Sequence, residues 1–173
     1  MDKPTGMSPF GIPSNVAPEN LGGIRVALFA ESVSPISKLI EWETRSKYCH
    51  AAIVCRDGSV VEAIEGVGVH RLTGLKTVKA PDHIDLFAVG SMCSADLVEA
   101  FLQAQIGKPY DWPDLFGFLT RDGKNEDRGA WFCSELAFAA IEAGGITLLR
   151  DIPPYQVSPA TLSLSPFLIP VSS

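Results

Sequence analysis

The stretch with the most reactive potential is Trp131-Phe132-Cys133-Ser134-Glu135-Leu136, which runs into the apolar segment Ala137 to Ala143 and stops at Gly144-Gly145. Leu136, Ala137, Ala140 and Ile141 recur at helical spacing and the paired glycines supply a terminator. The spacing therefore predicts a helix of about eleven residues with Cys133 in its first turn. Unpaired backbone N–H groups and the positive end of the helix dipole favour a thiolate over a thiol there, and the thiolate is the nucleophile. The plainer account of Cys133 is a small buried residue at a helix start, a common place for a free cysteine.

A nucleophilic cysteine needs a base, and the base needs a third group to fix its tautomer and orientation. Of the three histidines, His50 opens a run of small apolar residues, an odd place for a solvated imidazole, whereas His70 and His83 stand near strand ends in polar company. The competing account of His50 is an ordinary strand histidine whose hydrogen bonds are satisfied locally.

The elements that must position these groups read as follows. Residues 1 to 22 carry prolines at 4, 9, 13 and 18 with several glycines and no period, which predicts an arm over the domain surface. Ile24 to Ala30 reads as a buried strand, Pro35 to Thr44 as a short helix, and Cys49 to Cys55 as a second strand. Asp57-Gly58 between Cys55 and Val60-Val61-Glu62-Ala63-Ile64 is a strong hairpin signal. Further strands are expected from Gly66 and Gly68 through Leu72 and over Ile84 to Val89, giving a mainly antiparallel sheet. Ser94 caps a helix that ends at Gly107, with Leu97, Ala100, Phe101 and Ala104 on its apolar face. Lys108 to Pro113 is a rigid aromatic turn leading into a short helix through Leu119, and Arg121 to Arg128 is polar throughout, as in an exposed loop. After the Cys133 helix, Ser158-Pro159 offers an N-cap and first-turn pair, and Phe167 to Val171 an edge strand.

With 173 residues, 46% of them hydrophobic, the chain can bury one proper core, so the expected organisation is the arm of residues 1–22 and a single domain over 23–173. The net charge of −6 and the absence of any basic run argue against nucleic acid or an anionic membrane as the main partner. No window reaches the eighteen or so apolar residues of a membrane span, and the first residues lack the pattern of a signal peptide. The expectation is a cytoplasmic protein as encoded, with no stable membrane insertion, unless a non-Sec route or a phage particle carries it out. The cysteines at 49, 55, 93 and 133 form no CxxC pair, which argues against structural zinc, and all four are expected as thiols.

His50-Ala51-Ala52-Ile53-Val54, the Asp57-Gly58 turn and Val60-Val61-Glu62-Ala63 together resemble the histidine strand and hairpin of the NlpC-type cell-wall cysteine peptidases. Gly107-Lys108-Pro109-Tyr110-Asp111 and Phe132-Cys133-Ser134-Glu135-Leu136 resemble the Gly-x-x-Tyr-Asp and Cys-Ser-Glu-Leu segments of the same superfamily. Histidine precedes cysteine here, as in the circularly permuted branch that includes YiiX/YaeF-like bacterial proteins and the lecithin:retinol acyltransferase group. The resemblance spans roughly Gly23 to Pro170. It implies an α+β, papain-like fold in which an antiparallel sheet packs against helices, with the catalytic cysteine at a helix N-terminus. It further implies Cys133 as nucleophile, His50 as general base and acid, and Glu62 as the third polar residue, with no cofactor and no metal. Tyr110 matches a family tyrosine near the nucleophile, a candidate for positioning or oxyanion binding alongside the Cys133 N–H. Tyr48 and Trp131, two residues before His50 and Cys133, stand with Tyr110 as substrate-binding candidates. Cys49 departs from the branch, which usually carries serine before the histidine; a second thiol beside the base is either a partner for oxidation of Cys133 or inert.

Period two restricts the third group. With a loop of Asp57 and Gly58 alone, His50 would face Glu65 and Glu62 would point to the other side of the sheet. One extra residue at the turn, as in a glycine bulge, returns Glu62 to the His50 side, four residues away in register, and calls for strong twist. Glu62 is favoured by the resemblance and Glu65 is the alternative, with two solvated edge carboxylates as the bland reading.

The expected chemistry is acyl transfer through a thioester, as a cysteine peptidase or amidase. A peptidoglycan-type peptide amide is the first substrate expected. A lipid ester or amide is the second, because the permuted branch includes lipid acyltransferases. A non-catalytic binding or phage structural module is the reading from another class.

Overall fold

Short runs of valine, isoleucine, alanine and phenylalanine between glycine-bearing turns become strands that pair with their sequence neighbours. The computed structural model describes residues 23–30, 45–75, 83–111 and 129–171. The elements are β1 (Arg25–Ala30), β2 (Tyr48–Val54), β3 (Val60–Ile64), β4 (Gly68–Leu72), β5 (His83–Val89), α1 (Ala95–Gln105), α2 (Cys133–Ala143), a 3-10 turn (Pro154–Gln156), α3 (Pro159–Leu162) and β6 (Leu168–Pro170). The fold is α+β, with one six-stranded antiparallel sheet in the order β4-β3-β2-β1-β5-β6. The expected arm of residues 1–22, the helix over 35–44, and the short helix and polar loop between 113 and 128 lie outside the described residues.

The hairpin after β2 decides where Glu62 goes. Cys55 N donates to Ser59 O at 2.8 Å, Gly58 N donates to Cys55 O at 3.0 Å, and Gly58 has φ +82°. The loop is therefore Arg56-Asp57-Gly58, three residues, with glycine in the left-handed position that such a bulge requires. Ile53 pairs with Val61 and Val54 with Val60. Continued, that register sets Glu62 opposite Ala52, on the His50 side of the sheet and two residues from it rather than the expected four. Diagonal neighbours of this kind are within reach of long side chains.

One face of the sheet packs Leu28, Ala51, Ile53, Val61 and Ala63 against Leu136, Ala137, Ala140 and Ile141 of α2, while Ala27, Phe29, Ala52, Val54 and Val60 form a second cluster on the other face. Every residue of α2 from Cys133 to Ile141 is buried, so the helix is fixed on all sides. Helix α1 does present a stripe to α2, but it is Val98, Leu102 and Gln105, not the expected Leu97, Ala100 and Ala104; Leu97 is 56% exposed. Two contacts turn the helix. A Cβ on Gly144 would come within 2.6 Å of Val98 Cγ2, so the bare glycine admits Val98, and the Gln105 amide donates to Phe101 O and accepts from Trp131 Nε1, each at 3.1 Å. A buried polar side chain with both ends satisfied counts as core, and hydrophobic periodicity does not register it. Ser94 accepts from Leu97 N and Ser158 from Thr161 N, the caps expected from sequence. Among the described residues, no helix is long and apolar enough to cross a membrane.

Candidate active site

Helix α2 begins directly at Cys133, where no side chain caps the first turn; Phe132 N donates to the Glu135 carboxylate at 3.5 Å. Ser134 ties this end down by donating from its hydroxyl to Val157 O at 2.7 Å. The β2–β3 ladder extends only over Ile53 and Val54. Beyond it, the Ala51 N–H turns to the Cys133 sulfur, which also receives the Ser134 N–H. By strand alternation His50 lies on the Phe29 side of the sheet, and the two rings pack 5.2 Å apart. Where the ladder has ended, the imidazole reaches past β2 and hydrogen-bonds the Cys133 side chain.

Behind the ring, His50 Nε2 lies 2.7 Å from Glu62 Oε2, and His70 Nε2 lies 2.9 Å from Glu62 Oε1. Burial opposes ionisation of Glu62, but the hydrogen bonds and charges of His50 and His70 outweigh it and hold the carboxyl below its ordinary range. An ionised carboxylate only accepts, so both Nε2 atoms carry hydrogen and His50 keeps Nδ1 for the sulfur. Burial also opposes the charged form of His50, yet Cys133 and Glu62 hold its pKa up at about 10. For Cys133 burial again works against the charge, and the His50 imidazolium with the Ala51 and Ser134 amides brings the thiol pKa down. The two shifts run the same way, favouring negative charge on the sulfur and positive charge on the imidazole in front of a carboxylate. Cys133 is only 3% exposed, while the His50 side chain retains 19%.

Tyr110 joins this group through backbone pairing. Trp131 N donates to Pro109 O and Asp111 N to Trp131 O, each at 3.1 Å, so residues 109–111 run parallel to the segment entering α2. Burial raises the Tyr110 phenol pKa, and the negative charges of Cys133, Glu65 and Asp111 raise it further. It therefore keeps its hydrogen and can donate to a developing negative charge. The same segment is held from the other side: Val69 N donates to Lys108 O and Gly107 N to Val69 O, each at 2.8 Å. Gly68, at φ +87°, is where Lys108 O crosses, and any Cβ there would collide with it.

Cys133, His50, Glu62 and Tyr110 thus converge as the sequence suggested, and Glu62 rather than Glu65 receives the His50 nitrogen. Tyr48 and Trp131 do not join them. A bulge between the Phe29–His50 and Ala30–Tyr48 pairs turns Tyr48 to the opposite side, where its hydroxyl donates to Asp85 at 2.6 Å. Trp131 is 1% exposed, its ring edge-on to Phe101 and its N–H on Gln105, so it packs the core beneath the site. His70 is the residue that sequence reasoning set aside. The signal lay in the Glu65-Gly66-Val67 turn, which pairs Ile64 with Gly68 and so sets Glu62 directly opposite His70. All four cysteines are buried and none is in a disulfide, and Cys49 donates from its sulfur to Phe29 O at 3.4 Å. Among the described residues no cluster of histidine, cysteine or carboxylate side chains is arranged to hold a metal ion. No known family model matches the chain, and no curated protein does.

Proposed function

We propose that this protein is a cysteine hydrolase of the permuted, papain-like NlpC type, cleaving an amide through a thioester intermediate. The observation that carries the reading is the Cys133 sulfur at a helix N-terminus, hydrogen-bonded to His50, whose far nitrogen donates to the buried Glu62. The Cys133 thiolate attacks the substrate carbonyl carbon. The resulting oxyanion is met by the Tyr110 hydroxyl and the backbone N–H at the start of α2. His50 then gives its Nδ1 proton to the departing amine as the carbon–nitrogen bond breaks, leaving a thioester. Water attacks next: His50 takes its proton, the carbon–sulfur bond breaks, and thiolate and imidazolium are restored. Glu62 keeps Nδ1 facing the sulfur and balances the imidazolium throughout.

For substrate, the reading is a peptide amide of the peptidoglycan type. Supporting it are the resemblance to the cell-wall peptidases and the charged character of the site, where Glu65 and Asp111 act on Tyr110. A lipid substrate would call for an apolar groove at the same place.

The test is a pair of single variants, Cys133→Ala and His50→Ala, assayed on muropeptides with a free thiol probe run in parallel. Each variant is expected to reduce hydrolysis to background. The wild-type Cys133 is expected to react with the probe well below the ordinary thiol pKa of about 8.5. Undiminished hydrolysis by either variant would falsify the assignment.

A further inference from the structure

We infer that His70 is a positioning residue of this site, holding the Glu62 carboxylate ionised and aimed at His50 from the side opposite the nucleophile. The inference rests on the cysteine-hydrolase reading and adds a fourth member to its machinery. Glu62 is 1% exposed, so bulk water cannot solvate its charge, and an ionised carboxylate in such a place depends on protein donors. It has two, one per oxygen: His50 Nε2 on Oε2 at 2.7 Å and His70 Nε2 on Oε1 at 2.9 Å.

The backbone makes the second contact as well placed as the first. Glu62 and His70 are direct partners in the β3–β4 ladder, so their side chains leave adjacent strands on one face. The β4 strand is itself pinned where Gly68 and Val69 meet Lys108, two residues before Tyr110. One strand therefore fixes both the group behind the base and the segment that carries the oxyanion donor. The His70 side chain keeps 28% of its surface in solvent, so one imidazole bridges the buried carboxylate and the outside.

Without His70, Glu62 Oε1 loses its donor. The carboxylate then either rotates away from His50 or takes up a proton, and in both cases the His50 imidazolium loses its counter-charge. The thiolate that depends on that imidazolium is then protonated at a higher pH. A side chain that only filled space at position 70 would not move the titration of a sulfur on another element.

The experiment compares wild type, His70→Ala, His70→Gln and His70→Asn as full chains. The rate of Cys133 alkylation by iodoacetamide is followed against pH by mass spectrometry of the Cys133 peptide. H70A is expected to raise the midpoint of the Cys133 profile by about one pH unit and to slow alkylation at neutral pH about tenfold. H70Q, whose amide N–H reaches roughly where Nε2 stands, is expected to restore the profile to within about twofold. H70N is too short to reach Oε1 and is expected to behave like H70A, so it decides the matter should H70A fail to fold. A wild-type profile in folded H70A or H70N overturns the inference and leaves the hydrolase reading intact, and so does a folded H70Q as impaired as H70N. An ordinary thiol profile in the wild type itself overturns both.

Discussion

Glu62 and Asp85 stand on the same sheet, and each gathers a histidine and at least one further donor, yet only Glu62 stands behind an imidazole that faces a cysteine. Glu62, on β3, is 1% exposed and accepts from His50 and His70. Asp85, on β5, has a 30% exposed side chain and accepts from Lys47 at 2.8 Å, Tyr48 at 2.6 Å and His83 at 2.9 Å. Both carboxyls are held below their ordinary range. For Asp85 the Lys47 and Tyr48 hydrogen bonds lead, bringing the pKa to about 2, whereas for Glu62 burial is the largest influence and is overcome by two imidazoles. The bulge in β2 separates the two groups, sending Tyr48 to Asp85 and His50 to Glu62 although they are two residues apart. Donor count alone therefore does not tell the two carboxylates apart. What tells them apart is burial, and a donor, His50, whose second nitrogen is turned to the Cys133 sulfur.

The largest effect expected from breaking this comparison is on turnover. Glu62→Gln keeps the shape and removes the charge behind His50, so kcat should fall on the order of 10²- to 10⁴-fold with little change in KM. Asp85→Asn should leave kcat within about twofold. Parallel assays on one substrate decide it, and an Asp85→Asn loss equal to that of Glu62→Gln would erase the distinction.

Stability provides the next test, and its pH dependence has a definite sign. Glu62→Ala leaves two imidazoles without their acceptor and should cost about 3 kcal/mol in urea unfolding near neutral pH. The folded pKa of Glu62 is lowered, so its contribution is present above the unfolded carboxylate value of about 4.3 and is lost as pH falls through the folded value. The folded pKa of His50 is raised to about 10, so its contribution is complete below the unfolded value of about 6.5 and disappears as pH rises through 10. The stability gap between wild type and Glu62→Ala should therefore be widest near pH 5 to 6 and much smaller at pH 10.5. A gap that widens toward alkaline pH would mean the site is held by something other than the imidazolium.

Much of this arrangement was legible in sequence, and the parts that were not have a common cause. The Cys133 helix could be read because its apolar spacing and its paired glycines are local. The hairpin that carries Glu62 could be read because Asp57-Gly58 marks its own turn, with one residue more in the loop than the simplest turn requires. His70 escaped because its role depends on register across a second turn, and a strand histidine beside polar residues carries no mark of what lies opposite. That Tyr48 turns away from His50 could not be read because the bulge that turns it has no glycine to announce it, only Cys49 between His50 and Tyr48. Trp131 and the face of α1 have the Gln105 amide in common, which links residues 26 positions apart and makes a polar side chain part of the core, while bare Gly144 admits Val98 on the same face. Local chemistry shows in a sequence; pairing across the sheet shows only once the register is known.

The smallest expected effect isolates burial itself. Removing the Asp85 charge with Asp85→Asn deletes a pairing that reaches solvent, where two flexible partners must be held in one geometry. Exposed pairs of this kind contribute under about 1 kcal/mol. At 1 M salt the screening length contracts to about 3 Å, comparable with the Lys47–Asp85 separation of 2.8 Å, so the small loss should shrink toward zero. Glu62 is shielded from ions by the protein around it, and the Glu62→Ala loss should persist in the same buffer. Urea midpoints for the two variants at 0.1 M and 1 M sodium chloride give the answer. Equal salt sensitivity at both positions would mean that the Glu62 cluster is wet, and a wet carboxylate could not hold His50 charged against the sulfur.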